Sequence, residues 1–580
     1  MNGIADVNGS ITHDLIVLGG GGAGLTTALF AAVFGLRPLI IESTEYVGGT
    51  TALSAGSVWI PITEAGRKVN PTDTAANALA YLAGAVADEA AKPMLRRFIE
   101  LGPKAVETLE HSSQLRLRAF EYHPDYLSHL EGATAGGRVL EPLPFDGRQL
   151  GVALELIRPP IPEFTLFGGM MVDRTDIWHL MRSTRSIASL RHGIRLLTRH
   201  VPALLQGTRS TRLVMGNALI GRLLASLNER NVPIWCQTDA LELILDKSRV
   251  AGVTVQRAGA KMNLVARAGV VLAGGGFNRN PDLRRKLMPD VPSFSPTAPG
   301  RGRTLELALA LGASLGPEGQ GHAFWAPVSV RNRKDGSQAI FPHFVLDRAK
   351  PGTLVVDQFG HRFLNESASY NLFAKAMIAA HAKRPSIPAY LIADHRAVRA
   401  YGLGIVRPGG RGIRRLVDDG YLVRAPTVHA LADALLVDGA TLESAIVRMN
   451  AFARTGIDED FGRGTTVYER NLGDPQVGPN PTLGPIETPP FYAVRLYPGD
   501  IAASTGLLTD ADARVQGKAG PIRGLFAVGN DMHSIMRGAY PGPGVTLGPA
   551  LVFAYAASKA AAQDLSTSRA QIGQALRGAT

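Results

Sequence analysis

The first strong pattern along the chain is an unalternating apolar run, Leu15–Leu18, inside the segment HDLIVL from His13 to Leu18. A run that short cannot cover a helix face and reads as a buried strand. Four glycines follow, Gly19 to Gly22, then Ala23 and Gly24. Leu25–Phe34 is Ala-rich, predicts a helix, and is closed by Gly35; Pro38–Ile41 is a second apolar strand ending at Glu42. Strand, glycine turn, helix and strand within about 30 residues predict a βαβ unit. The same strand-into-glycine punctuation returns twice, at Gly269–Gly276 (GVVLAGGG) and Gly524–Asn530 (GLFAVGN).

The first glycine turn carries chemistry as well as shape. Its GxGxxG spacing has a strand before it, a helix after it and an acid 18 residues beyond Gly24. Together these form the dinucleotide fingerprint. Gly19, Gly21, Gly22, Ala23 and Gly24 would let the backbone reach a pyrophosphate, and the helix N-terminus adds the positive end of its dipole. Glu42, followed by Ser43, would accept hydrogen bonds from a ribose diol. A second glycine-hydroxyl loop comes at once, Gly48-Gly49-Thr50-Thr51 and then Ser54-Ala55-Gly56. It suits a longer cofactor threaded past the first crossover, so FAD is expected. Gly274, Gly275, Gly529, Asn530, Asp531, Gly544 and Leu547 complete the expected cofactor contacts. The expected fold class is α/β with an α+β insert. A Rossmann-like FAD-binding domain, discontinuous over 1–320 and 489–580, is interrupted by a catalytic domain over 321–488.

Composition narrows the picture. Glycine is 65 of 580 residues without a G-X-Y period, and hydrophobic residues make up 45% and charged residues 19%, which excludes collagen and disorder. One cysteine, Cys236, excludes an internal disulfide framework and any CxxC metal or redox site, and no metal is expected. Residues 1–13 lack the pattern of a secretory signal. The longest apolar-leaning stretches, Ala23–Phe34 and Ala550–Ala562, fall short of the about 20 residues a bilayer span needs. A cytoplasmic protein is expected.

The net charge of +12 is local. Between Arg174 and Arg212 lie eight arginines (174, 182, 185, 191, 195, 199, 209 and 212) and one acid, Asp176, a net of seven positive charges. Ile177, Leu180, Ile187, Leu190, Ile194, Leu197, Val201 and Leu204 recur there at steps of three and four. This predicts a basic amphipathic helix, broken near Pro202. Such a helix either packs on the protein's own core or lies peripherally on an anionic membrane, here the inner face of the cell membrane. No nucleic-acid motif accompanies the charge, and no nucleic-acid partner is expected.

The run from His13 to Gly56, the GLFAVGN segment and Tyr540-Pro541-Gly542-Pro543-Gly544 resemble the 3-ketosteroid Δ1-dehydrogenases, FAD enzymes related to the fumarate reductase and succinate dehydrogenase flavoproteins. The likeness covers nearly the whole chain. The FAD motifs are shared across that superfamily. The YPGPG segment, Asn365-Glu366-Ser367-Ala368-Ser369-Tyr370 and Pro124-Asp125-Tyr126 are more specific. The resemblance implies Tyr370 as catalytic base, Tyr540 and the Gly544 N–H as the clamp on the C3 carbonyl, and Tyr126 as hydrogen-bond partner of the base, with Tyr122 a second candidate. It implies a 3-ketosteroid substrate, non-covalent FAD (no histidine stands in the Gly48–Gly56 loop) and an electron acceptor, with a quinone as the expected class. Segment 174–212 departs from shorter family members, and with the membrane reading it extends the expected substrates to sterol-type ketones such as cholest-4-en-3-one.

The residues suit that chemistry. Desaturating C1–C2 beside a ketone removes a proton from C2 and a hydride from C1, and the proton is acidic only if the C3 oxygen can carry negative charge. A hydroxyl and a backbone N–H held by a proline-stiffened loop form an oxyanion pair. A tyrosine base must approach the phenolate, although its ordinary pKa is about 10, so Tyr126 or a nearby positive charge is expected to stabilise that form. The rivals are a fumarate reductase, for which Arg362 and Arg537 are the available arginines, a 3-ketosteroid 4(5)-dehydrogenase, and a flavin-containing binding protein. His343, His361 and His533 have no partner legible in the sequence.

Overall fold

The computed structural model describes residues 4–5, 11–183, 186–300 and 302–578; Arg185 lies outside the described residues. The apolar run forms the strand Ile11–Leu18, parallel to Pro38–Ile41 on one side and to Ala260–Leu272 on the other. Gly520–Ala527 pairs parallel to Ala260–Leu272, which joins the two ends of the chain in one sheet. Leu15 to Leu18 are buried on both faces, the environment that an unalternating apolar run requires. The helix Gly22–Val33 covers one face and packs against the last helix, Leu547–Gly578, with Phe30 edge-on to Tyr555 at 5.2 Å.

A second, antiparallel sheet runs in the order Gln338–Pro342, Ala323–Asn332, Phe491–Ala503, Ala389–Ala393, Thr353–Val356, and Leu422–Ala425 also pairs with Phe491–Ala503. Phe491–Ala503 is therefore central to the inserted unit. The expected return to the FAD domain at residue 489 moves to about Ala503, because this strand's hydrogen bonds are made to the insert.

The basic segment forms two helices, Arg174–Met181 and Ile187–Leu205. The break falls between them, and the second helix runs on through Pro202. Its buried face is small: Ser189, Gly193, Leu196, His200 and Ala203. The apolar stripe expected to choose between core and membrane faces outward. Ile187 is 87% exposed, and Leu190, Ile194, Leu197, Val201 and Leu204 are also exposed. Arg191 and Arg195 are exposed on the same helix. Arg199 reaches Asp146 at 3.0 Å, and Arg212 turns inward to Asp173 and Asp176. The turn Pro162–Phe164, just before the segment, bridges the two units. Glu163 holds Arg333 at 2.7 Å, and Phe164 stacks on Phe341 at 4.8 Å.

The glycine turn is sterically obligatory. A Cβ on Gly24 would lie 1.9 Å from the Gly19 carbonyl oxygen. Gly24→Val is expected to abolish flavin binding and lower the unfolding midpoint, read from the visible flavin spectrum and a thermal melt.

Candidate active site

The expected cofactor residues converge on the start of the first helix. Gly21 caps it without a side-chain hydrogen bond, so the first amides are left for a ligand, and a Cβ there would meet nothing within 4 Å. Gly48 bridges to Gly21, a Cβ on Gly19 would strike Ala273 and Gly274, and one on Gly529 would sit 2.8 Å from Ala23. Glu42 accepts from the Gly20 amide at 2.7 Å and from the Thr44 amide and hydroxyl at 2.8 Å. Asp531 accepts from the amides of Gly274 and Gly276 at 2.6 and 2.8 Å, so its carboxylate braces the second glycine turn, Gly274-Gly275-Gly276. Thr50 accepts from the Ala298 amide at 3.0 Å. Ser54 holds the turn through Thr51 and Gly56. Ser43 and Ala55 are exposed, and Leu547 opens the last helix. A cavity lined by Gly529, Asn530, His533, Val545 and Thr546 adjoins that helix. Free amides, close-approach glycines and a cavity beside them suit a dinucleotide flavin.

The three tyrosines, distant in sequence, meet. Tyr370 opens the helix Tyr370–His381. Its ring centroid lies 5.1 Å from Tyr540 and 5.5 Å from Tyr126, with Phe344 at 4.8 Å. Tyr126, Tyr370 and Tyr540 are all buried, whereas Tyr122 is 51% exposed and points away from the cluster's environment. A fourth tyrosine stands in the cluster. Tyr468 lies 4.5 Å from Tyr126, ring to ring. Sequence reasoning missed it. Thr466 and Glu469 around it spell a helix start, but nothing local places that helix against Tyr126.

Each tyrosine is held by residues of its own motif. The Tyr126 amide donates to the Pro541 carbonyl at 2.8 Å, and the Tyr81 hydroxyl donates to the same oxygen at 2.6 Å. Asp125 accepts from the Trp59 indole at 2.9 Å and the Thr134 amide at 3.0 Å, and pairs with Arg138 at 2.9 Å. Arg138 also binds Asp73 at 2.6 Å. In the NES segment, Asn365 accepts from Ser367 and donates to Glu469, and Glu366 binds Arg362. Gly544 has φ +88°, and a Cβ there would lie 2.3 Å from the Ser57 carbonyl oxygen. Its carbonyl accepts from the Trp59 and Gly548 amides; among the described residues its own N–H has no protein acceptor.

The electrostatics refine one expectation. Burial pushes Tyr370 well above the ordinary phenol range, and the neighbouring Tyr126 and Tyr540 add to it. The hydroxyl contact between Tyr126 and Tyr370 lowers Tyr126 and raises Tyr370. For Tyr126 to stabilise a Tyr370 phenolate, its hydroxyl must donate to Tyr370, which a rotor turn allows. His343 does have partners. It lies between Asp347 at 2.6 Å and Ser329 at 2.7 Å, fully buried. Burial pushes the Asp347 carboxyl up, but His343 and two amides outweigh it and hold it at about 2. His361 is exposed, and burial beside Arg537 lowers His533 to about 3. Arg362 is occupied by Glu366 and Asp458 at 2.7 and 2.6 Å, and Arg537 faces Asp88 at 3.4 Å. Arg362 is therefore no free carboxylate clamp, whereas Arg537 keeps Nε and Nη1 buried without a hydrogen-bond partner among the described residues.

Comparison with known proteins agrees with this geometry. Residues 14–547 match the FAD binding domain family. The 3-oxosteroid 1-dehydrogenase of Mycobacterium tuberculosis is 33% identical over 94% of this chain and 97% of its own. The chain belongs to the 3-ketosteroid Δ1-dehydrogenase family of FAD oxidoreductases. A second relative in this range is the 4-oxocyclohex-2-ene-1-carboxylate 5-dehydrogenase of Sinomonas cyclohexanicum, 34% identical over 95% of this chain and 94% of that one. The crystal structure of the 3-ketosteroid Δ1-dehydrogenase from Sterolibacterium denitrificans, in complex with 1,4-androstadiene-3,17-dione, is 35% identical, covers 95% of this chain and 99% of its own, and superposes with a TM-score of 0.88. In this member of the dehydrogenase family FAD is the cofactor, and the buried Asp125–Arg138 pair joins the Tyr126 loop to its neighbours. Asp125→Ala is expected to cost about 1–3 kcal/mol of stability by leaving the Arg138 Nη1, the Trp59 indole N–H and the Thr134 amide without an acceptor, while Asp73 still neutralises the guanidinium. Urea unfolding measures it, and turnover should fall in parallel as Tyr126 loses its seat.

Proposed function

We propose that the protein desaturates the C1–C2 bond of a 3-ketosteroid, with Tyr370 as the base that takes the C2 proton. The observation that carries this reading is the meeting of Tyr370, Tyr126 and Tyr540 in one buried cluster, with the N–H of Gly544, four residues after Tyr540, lacking a protein acceptor among the described residues. Tyr540 and the Gly544 N–H hold the C3 carbonyl, so that charge leaving C2 collects on an oxygen with two donors. Tyr126 supports the base. Bound FAD supplies the hydride acceptor for C1. The chain's own residues hold the ring, withdraw the proton and keep water from the carbanion-like carbon.

Both curated relatives named above oxidise a CH–CH bond beside a ring ketone, which supports a ring ketone as the shared core of the substrate. The assay therefore compares 3-keto-4-ene steroids with short and long C17 side chains against a 4-oxocyclohexanecarboxylate, under anaerobic conditions with an artificial acceptor. Turnover of the steroids alone supports the reading. Turnover of the small acid alone replaces it. Tyr370→Phe is expected to lower turnover by about 10²–10⁴-fold, the size of a lost general base, with the flavin spectrum unchanged. Retained turnover removes Tyr370 from the role. In this reading the reduced enzyme passes its electrons to a quinone, which quinone-dependent reoxidation of the flavin tests.

The same reading places the helix Ile187–Leu205 on an anionic membrane. What supports it is the outward apolar stripe with arginines beside it, the arrangement of an interfacial helix. Substrates that are almost insoluble in water give the enzyme a reason to work there. Among the described residues no helix is long and apolar enough to cross a membrane. The protein is expected to pellet with anionic vesicles at low salt and to stay in solution with neutral ones. Ile194→Asp with Leu197→Asp should release it without changing turnover of a dissolved steroid. A parent protein that never pellets ends this part of the reading.

A further inference from the structure

The base assigned above faces an electrostatic difficulty. Its phenolate must form among buried aromatic rings, where a lone negative charge is disfavoured. Arg348 is fully buried close by. Its guanidinium donates to four backbone carbonyls: Nε to His343 and Nη2 to Phe344 at 3.0 Å, Nη1 to Glu366 and Ala368 at 2.5 Å. Among the described residues none of these bonds goes to a carboxylate. The acids around it are engaged elsewhere. Asp347 takes His343 and the amides of Gly404 and Arg348. Glu366 sits between Arg362 at 2.7 Å and Arg463 at 3.3 Å. Glu469 accepts from the Gly464 and Thr465 amides and from Asn365.

A buried cation whose guanidinium bonds only carbonyl dipoles, with Asp347 acting on it without a guanidinium hydrogen bond, gains from a counter-charge that forms beside it. The carbonyls it holds belong to the site. Phe344 packs on the Tyr370 ring at 4.8 Å, and Ala368 lies two residues before Tyr370. Tyr468 completes the path. Its hydroxyl is buried without a well-formed hydrogen bond. Its ring is 4.5 Å from Tyr126, which is 5.5 Å from Tyr370. Burial pushes Tyr468 up to about 12, with Arg348 the strongest opposing influence, and the same guanidinium acts on Tyr126.

We propose that Arg348 is the fixed counter-charge of the Tyr370 phenolate, a positioning residue that acts through Tyr468 and Tyr126. The inference rests on Tyr370 being the base. When Tyr370 gives its proton to solvent, Tyr126 turns to donate to it, Tyr468 turns to donate to Tyr126, and Arg348 faces the Tyr468 oxygen. The C2 proton then returns Tyr370 to its neutral form, and no further reactant is needed. Asn371 fixes the helix that carries Tyr370 by accepting from the Trp325 amide at 2.9 Å, so the base does not move during the exchange.

The test uses the holoenzyme with its flavin kept reduced, so that only proton transfer is observed. Deuterium uptake at C2 of a 3-keto-4-ene steroid in D2O is followed against pH for the parent, Tyr468→Phe, Arg348→Met, Arg348→Lys and Tyr370→Phe. Tyr468→Phe and Arg348→Met should move the rising limb of the profile to higher pH by about one to three pH units, the range of a lost opposite charge. At neutral pH that is about a tenfold or greater loss of exchange. Steroid affinity should hold, and Arg348→Lys should recover part of the loss. A merely structural role would lower the amplitude without moving the limb. Tyr468→Phe with the parent's profile overturns the proposal, and it decides the matter if Arg348→Met does not fold. Tyr370→Phe that still exchanges sinks the base assignment itself. Silent Tyr370→Phe beside an unmoved Tyr468→Phe sinks only the role of Arg348.

Discussion

A tyrosine can take a proton from carbon only as phenolate, and Tyr370, the base in the proposed reading, is buried. That constraint orders the structure around it. Burial keeps water from the carbon that loses its proton, but the same burial pushes the base far above its ordinary range. In that reading Tyr126 and Tyr540, packed on Tyr370, offer hydroxyls that can turn to donate, and Arg348, bonded to backbone carbonyls, supplies the charge behind them. Preorganisation replaces solvation: the donors are in position before charge develops.

Holding that arrangement takes contacts between segments far apart in the chain. The Tyr126 amide and the Tyr81 hydroxyl both bind the carbonyl of Pro541. Asp125 and Arg138 lock the loop behind them, and Trp59 fills the space over Gly542, where a Cβ would strike its indole at 2.6 Å. Tyr126, Tyr540 and Gly544 are thus tied together by these contacts, with Tyr370 brought to them from the insert. In the proposed reading, the split of the chain between two units sets a base from one against a carbonyl clamp from the other.

Local pattern made much of this legible. The strands Ile11–Leu18 and Pro38–Ile41 and the helix between them follow from apolar runs and glycines whose conformations are set by near neighbours. Tyr126, Tyr370 and Tyr540 were readable because each sits in a motif with its own bracing residues. Tyr468 was not, since its partner is more than 300 positions away and reaches it through packing. His343 was unreadable for a similar reason: Asp347 is one turn along, but Ser329 comes from a neighbouring strand. The boundary near 489 shifted because hydrogen-bond pairing across a sheet is a long-range choice that the strand Phe491–Ala503 does not announce.

The basic segment divides the two kinds of information most clearly. The sequence by itself determined that 174–212 is positively charged and that its apolar residues recur at steps of three and four, the spacing of the helices at 174–181 and 187–205, since periodicity and charge are properties of consecutive residues. It could not determine which way the apolar stripe faces. Only the tertiary structure decided that, by giving the inward face to Ser189, Gly193, Leu196, His200 and Ala203 and leaving Ile194 and Leu197 in the open. The same holds for the active site. The chain spelled out the flavin cradle and three tyrosines, while the fold alone decided their distances and their burial, because burial and proximity belong to the whole molecule.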